Sequence, residues 1–298
     1  MSKRNICVDI TKGLAIILMV LGHSSLPDSL SNFIYAFHMP VFFILSGYCT
    51  NWHAGTFFSF ISRRTKALLI PFFAYSVIVW IMLKIIDVSV FSLAKGWGGL
   101  ALWFVPVMFS ASIIARAYFI VSNSIIKFLC LLICLITGVY LSYANIYLPW
   151  SASTIPYATI LIIIGAYLKR VESKIFNSNI LIPISATIIV FGISYFYRLD
   201  MAWNRILPIG ILTFNAVLGS LMLMNYSFIF EKKLHTVSNL LVVTGRETYI
   251  ILAFSQVIIM GINKYLMISS IEKYALLVGI LILLVYLKRK LNDCLAKI

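Results

Sequence analysis

Ten apolar runs dominate this chain, and they restrict its fold class before any motif is read. A helix that crosses a bilayer needs roughly 20 apolar residues, within a range of about 17–25. Runs of that kind cover residues 7–23, 31–50, 67–86, 99–121, 125–143, 154–169, 179–197, 206–226, 238–260 and 271–287. Of the 298 residues, 62% are hydrophobic and only 11% are charged. A soluble domain would carry about 25% charged residues. The pattern predicts an all-α polytopic membrane protein with about ten transmembrane helices, built as a single integral-membrane domain over residues 1–298. His38 and Pro40 interrupt the second run, which is expected to be bent or partly re-entrant. Only Ser122 to Ser124 separates the fourth and fifth runs, which predicts an antiparallel hairpin. The run after Met1–Arg4 has no small-x-small cleavage site, so no cleaved signal is expected.

A net charge of +15 could suggest a nucleic-acid partner. Here the cations sit in short gaps between apolar runs, which is the positive-inside pattern of membrane proteins, so no nucleic acid is expected. One set of alternate gaps holds Lys3 and Arg4; Arg63, Arg64 and Lys66; Lys127; Lys169, Arg170 and Lys174; Lys232 and Lys233; and Lys288, Arg289 and Lys290. The other set holds fewer: Lys95, Arg198, Arg205, Lys264 and Lys273. This asymmetry predicts that both termini are cytoplasmic. Trp52, Trp80, Trp97, Trp103, Trp150 and Trp203 mostly fall near run ends, where interfacial belts are expected. The five cysteines include no CxxC pair, and no metal is expected.

A histidine inside an apolar run is expensive, since polar groups at membrane depth cost roughly 2.5–3.5 kcal/mol on insertion scales. His23 ends the first run, and the default reason for such a residue is chemistry or transport. Asp9 and Lys12 enter the same helix three residues apart, able to pair on one face. His23 lies eleven residues beyond Lys12, about 16 Å further across the bilayer at 1.5 Å per residue. A cation near one surface and a titratable group deeper in suit a long ligand with an anionic head and a reactive tail, the shape of a coenzyme A thioester. The alternative is a helix anchor with one structural hydrogen bond. His38 could face a cavity where Pro40 breaks the helix, or simply bond the freed carbonyl. Ser46 and Gly47 have the spacing of a close helix contact. Arg63, Arg64 and Lys66 could hold phosphates or could be ordinary topology signals. Trp103 could stack on a sugar or sit in an interfacial belt. Arg246 and Glu247 are weak site candidates at a helix start. Arg198, Asp200 and Arg205 read as a solvated loop, and His53 and His235 as solvated.

These residues resemble membrane-bound acyltransferase family 3, the group that includes sugar O-acetyltransferases and fucose 4-O-acetylase-like proteins. The similarity runs through Asp9–Gly13, Val20–Ser24, Phe37–Phe43 with Ser46 and Gly47, and Arg63–Lys66 with Leu68–Phe72. Weaker echoes are Leu102–Phe104, the Gly165 region and Gly245–Tyr249. The resemblance implies O-acyl transfer, usually of acetyl from acetyl-CoA, to a hydroxyl of an extracytoplasmic glycan or lipid-linked sugar. It also implies a multi-pass protein of a bacterial inner (plasma) membrane. Acyl-CoA would be a co-substrate from the cytoplasm, with no permanently bound cofactor. His23 and His38 would be catalytic. Lys12, Arg63, Arg64 and Lys66 would hold the coenzyme's phosphates, with Asp9, Ser46, Trp103 and Glu247 as weaker contributors to substrate binding. Lys12 and Lys66 stand where many members have Arg, and Ser255 or Phe254 stands where many carry a late histidine. Two other functions fit the same composition. A glycolipid or polysaccharide flippase would also want intramembrane polar groups and a basic face. So would a non-catalytic partner in a polysaccharide assembly complex.

Overall fold

The computed structural model describes residues 5–24, 26–88, 100–176, 178–267 and 269–295. Lys3, Arg4, Lys95 and Trp97, which entered the charge and belt expectations, lie outside the described residues. In chain order the helices are α1 (Ile6–Gly22), α2 (Asp28–Tyr35), α3 (Pro40–Cys49), α4 (Phe57–Arg64), α5 (Ile70–Ile85), α6 (Phe104–Ile120) and α7 (Ser124–Tyr143). They continue as α8 (Ile155–Arg170), α9 (Glu172–Ile175), α10 (Leu181–Phe196), α11 (Ile209–Lys233), α12 (His235–Arg246), α13 (Thr248–Tyr265) and α14 (Ser270–Leu295). Among the described residues there is no β-strand, and seven helical stretches are long and apolar enough to cross a membrane. The α1 helix has 17 residues, and α10 is a shorter apolar helix. Length and composition thus support seven of the ten expected crossings.

The departures from a simple bundle have local causes. Pro40 has no N–H to continue a helix from residue 36, so the second run stops at Tyr35, turns through Ala36–Met39, and restarts with Pro40 in the first turn of α3. The interruption expected there is present. A five-residue π-helical stretch, Thr65–Leu69, joins α4 to α5 just before Pro71. The ninth run is not one helix. It divides at Glu247 into amphipathic α12 and apolar α13. The expected hairpin is also modified: Asn123 caps α7, accepting from the N–H groups of Ile125 and Ile126, yet α6 and α7 both pack on α8 rather than on each other.

The core forms around α1, which touches α2, α3, α11, α12 and α13. Without a hydrophobic force between helices in lipid, tight association needs small residues that let backbones approach. Two crossings show this. Gly13 and Gly245 face the carbonyls of Leu241 and Asp9, where an added Cβ would collide with backbone oxygen. Gly47 and Gly165 do the same against Ile162 and Ile44, joining α3 to α8. Buried hydroxyls and amides link further helices: Thr11 Oγ1 on α1 donates to Ser227 Oγ on α11 at 2.9 Å, and Asn215 Nδ2 on α11 to Ser194 Oγ on α10 at 2.9 Å. The outward face of α7 exposes Ile125, Phe128, Ile133 and Ile136, as a lipid-facing helix should. Trp52 does not belong to an interfacial belt. It is buried, donates Nε1 to the Gly47 carbonyl at 2.9 Å, and stacks on Phe119.

Candidate active site

His23 caps the C-terminus of α1, its backbone N–H bonding to the Met19 and Val20 carbonyls. The chain then turns at Pro27, and α2 returns Tyr35 to the same place. Tyr35 Oη lies 3.4 Å from His23 Nδ1. The break before Pro40 brings in His38, whose ring centre is 6.4 Å from that of His23 and 5.0 Å from that of Tyr35. His38 is 3% exposed, and its Nδ1 is 2.8 Å from the Ile34 carbonyl. A carbonyl only accepts, so the proton sits on Nδ1 and the lone pair on Nε2. The bond does not go to the carbonyl freed by Pro40, which belongs to Ala36. It goes to Ile34, one turn before His38.

The three rings border a cavity of about 580 Å³. Its other walls come from distant segments: Leu100–Trp103, Tyr147–Ser153, Asp200–Asn204 and Gln256 on α13. The loops interlock. Ser151 Oγ donates to the Ala202 carbonyl at 3.2 Å, Thr154 Oγ1 donates to that of Met201, and Tyr147 meets Trp203 edge to face. Trp150 and Ser151 both adopt left-handed backbone, with φ of 62° and 53°, a costly conformation for side-chain-bearing residues that the interlocked loops hold in place. Asp200 is 8% exposed and anchored by a reciprocal backbone pair with Arg205. Burial pushes its carboxyl above the usual range, opposed by Arg198, the Trp203 and Ala202 N–H groups and Arg205.

Cations gather at the other end of α1. Asp9 is buried between Lys12, 3.8 Å away, and Arg246, 3.3 Å away. On α4, Arg64 donates to Thr50 Oγ1 at 2.7 Å and to Ser46 Oγ at 3.4 Å. Arg63 reaches the Ala54 carbonyl at 3.5 Å. Arg116, on α6, is 3% exposed and donates from Nη2 to the Gly55 carbonyl at 2.6 Å. Arg64 and Arg116 both lie near the Phe60 ring, at 5.4 and 5.6 Å from its centre.

Residues 5–288 match an acyltransferase domain, that of acyltransferase family 3. The chain belongs to this family. No curated protein and no solved structure matches it. With the helical architecture, the match identifies a membrane acyltransferase.

In this acyltransferase the two histidines named from sequence come together, and Trp103 joins them at the cavity. Lys12, Arg63, Arg64 and Lys66 do not line that cavity. Arg64 is turned inward and half-buried while Lys66 is exposed. Ser46 belongs with Arg64, and Glu247 binds Lys288 at 2.7 Å and Arg289 at 3.3 Å, so of the weaker substrate-binding candidates neither lines the cavity. Asp200 is a buried cavity wall instead of part of a solvated loop. Around the missing late histidine, it is Gln256 that reaches the cavity, beside buried Ser255. Sequence reading missed Tyr35, Gln256 and Arg116. For Arg116 a signal existed, a lone cation inside an apolar run. For Tyr35 there was none beyond its position three residues before His38.

Proposed function

We propose that this protein moves an acyl group, acetyl in the first place, from acyl-CoA to a hydroxyl of an extracytoplasmic glycan or lipid-linked sugar. The observation that carries this reading is the pairing of His23 and His38 over one cavity at the end of α1 remote from Lys12. With its Nδ1–H directed to the Tyr35 oxygen, His23 presents Nε2 to the acceptor hydroxyl and takes its proton as the oxygen attacks the thioester carbonyl. The tetrahedral intermediate collapses, the C–S bond breaks, and the imidazolium returns the proton to the departing thiolate. The products are the sugar ester and free coenzyme A. His38, through the lone pair on Nε2, accepts a hydrogen bond from a neighbouring hydroxyl of the acceptor and so orients the sugar.

The donor's phosphates would lie among Lys12, Arg63, Arg64 and Lys66, with Arg116 behind them. Guanidinium groups give forked hydrogen bonds to phosphate, and a lysine gives a point charge. Acyl delivery then requires a passage along α1 from this cluster to His23, a rise of about 16 Å. Radiolabelled acetyl-CoA supplied to proteoliposomes with an acceptor glycan tests the reading. Label should reach the glycan with wild type and not with His23→Ala. Undiminished transfer by a correctly inserted His23→Ala protein would dismiss it.

A further inference from the structure

The far wall of the cavity is not used by the transfer chemistry just described, and its composition is one-sided. Among the described residues that line it, Asp200 is the only Asp, Glu, Lys or Arg. The nearest cations do not enter the cavity lining. Arg198 lies over the Tyr35 ring, 4.5 Å from its centre, and donates to Asn32 Oδ1 at 3.2 Å, while Arg205 is exposed. Beside Asp200 stands Trp203, 43% exposed and braced edge-on by Tyr147.

We propose that this wall is the acceptor subsite and that it selects an uncharged sugar ring, whose hydroxyls donate to the Asp200 carboxylate while one ring face lies against Trp203. The assignment of a sugar rests on the acyl-transfer reading; the selection against charge rests on the wall itself. A carboxylate is an acceptor-only group with several lone-pair sites. The N–H groups of Ala202 and Trp203 use part of that capacity. Sugar hydroxyls can use the rest without adding charge. A uronic acid or phosphosugar would bring a second anion into a partly desolvated site with no cation among its described lining residues, Arg198 and Arg205 acting on Asp200 only from outside that lining, and like charges in such a site repel strongly. An aromatic face with a few polar groups fixes the orientation of a neutral ring. Selectivity here is a difference in affinity created largely by repulsion of the wrong partner.

The test uses the full chain in lipid nanodiscs, with methyl β-glucoside and methyl β-glucuronide compared by saturation-transfer NMR. Wild type should bind the glucoside about tenfold more tightly than the glucuronide. Asp200→Asn, which keeps the shape and removes the charge, should narrow that ratio to within about threefold. Trp203→Leu, at a half-exposed position, should weaken the glucoside and leave the effect of Asp200 on the ratio intact. Equal binding by wild type, no glucoside binding, or an unchanged ratio in a folded Asp200→Asn protein would overturn the proposal. Selective binding without acetyl transfer to any glycan would retire only the transfer reading. Active transfer with no charge preference would retire only this one.

Discussion

The Nδ1–H of His38 is committed to the carbonyl of Ile34, 2.8 Å away and one turn earlier. That bond fixes the tautomer and aims Nε2 away from the backbone. His23, half-buried at the end of α1, has among the described residues only the Tyr35 oxygen, at 3.4 Å, as a side-chain partner at hydrogen-bonding distance. The two rings are therefore inequivalent: one is held as an orienting acceptor, the other can exchange a proton.

That difference predicts unequal losses. His23→Ala should lower kcat by about 10²–10⁴, the usual worth of a general base. His38→Ala should cost about tenfold, the scale of one hydrogen bond. Both are read in the labelled-acetyl assay at saturating acceptor. A greater loss from His38→Ala than from His23→Ala would reverse the two roles.

Arg64 donates from one nitrogen, Nη2, to Thr50 and Ser46, in a half-buried position beside Phe60. Arg64→Ala should raise KM for acyl-CoA by about tenfold or more, since a hydrogen bond to a charged group is worth about 1.5–3 kcal/mol. Arg64→Lys should recover only part of this, because the charge returns without the planar fork. Initial rates over a range of acyl-CoA concentrations give the answer, and an unchanged KM in Arg64→Ala would take this residue out of donor binding.

Close helix contacts make a prediction about stability. Gly47→Ala would drive a methyl into the Ile162 carbonyl and should destabilise by about 1–3 kcal/mol, the cost of overpacking. Gly192→Ala, on α10 with nothing near its Cβ position, should be neutral or slightly stabilising, by up to about 1 kcal/mol. Thermal unfolding in one detergent compares them. Equal melting temperatures for the two variants would contradict the α3–α8 packing.

Asp200 should leave a pH signature. Its carboxyl is raised above the ordinary 3.8 by burial, so the folded state binds that proton more tightly than the unfolded state does. The resulting stability is present below the unfolded value and is lost as pH rises through the folded one. Relative to Asp200→Asn, wild type should therefore lose stability as pH climbs from about 4 toward neutrality. Paired melting curves across that range measure it, and a wild type that gains on the variant as pH rises would show the opposite shift.

Much of the outcome was legible because burial cost is written locally. A membrane protein is evident from its apolar runs, and His23 and His38 stand out because imidazoles are costly in such runs. Pro40 announces the break between α2 and α3 because it lacks an N–H. The family motifs lie mostly in the same stretch, so sequence and fold point to one end of α1. Other assignments failed where the partner was remote. Glu247 could be seen as charged at a helix start, but its pairing with Lys288 and Arg289 depends on how α14 packs. The ninth run looked continuous because hydropathy does not register the helix break at Glu247.

The sequence by itself determined which segments are helical and apolar, which polar groups lie inside them, and where proline must interrupt them, since these follow from neighbours along the chain. Only the tertiary structure decided that Asp200 and Trp203 face His23, that Arg116 joins Arg64 at Phe60, and that Gln256 reaches the cavity. Hydropathy tells a segment to leave water but not which face to show its neighbours. That choice is made where glycine-lined crossings let specific backbones meet, and it sets the contents of the cavity.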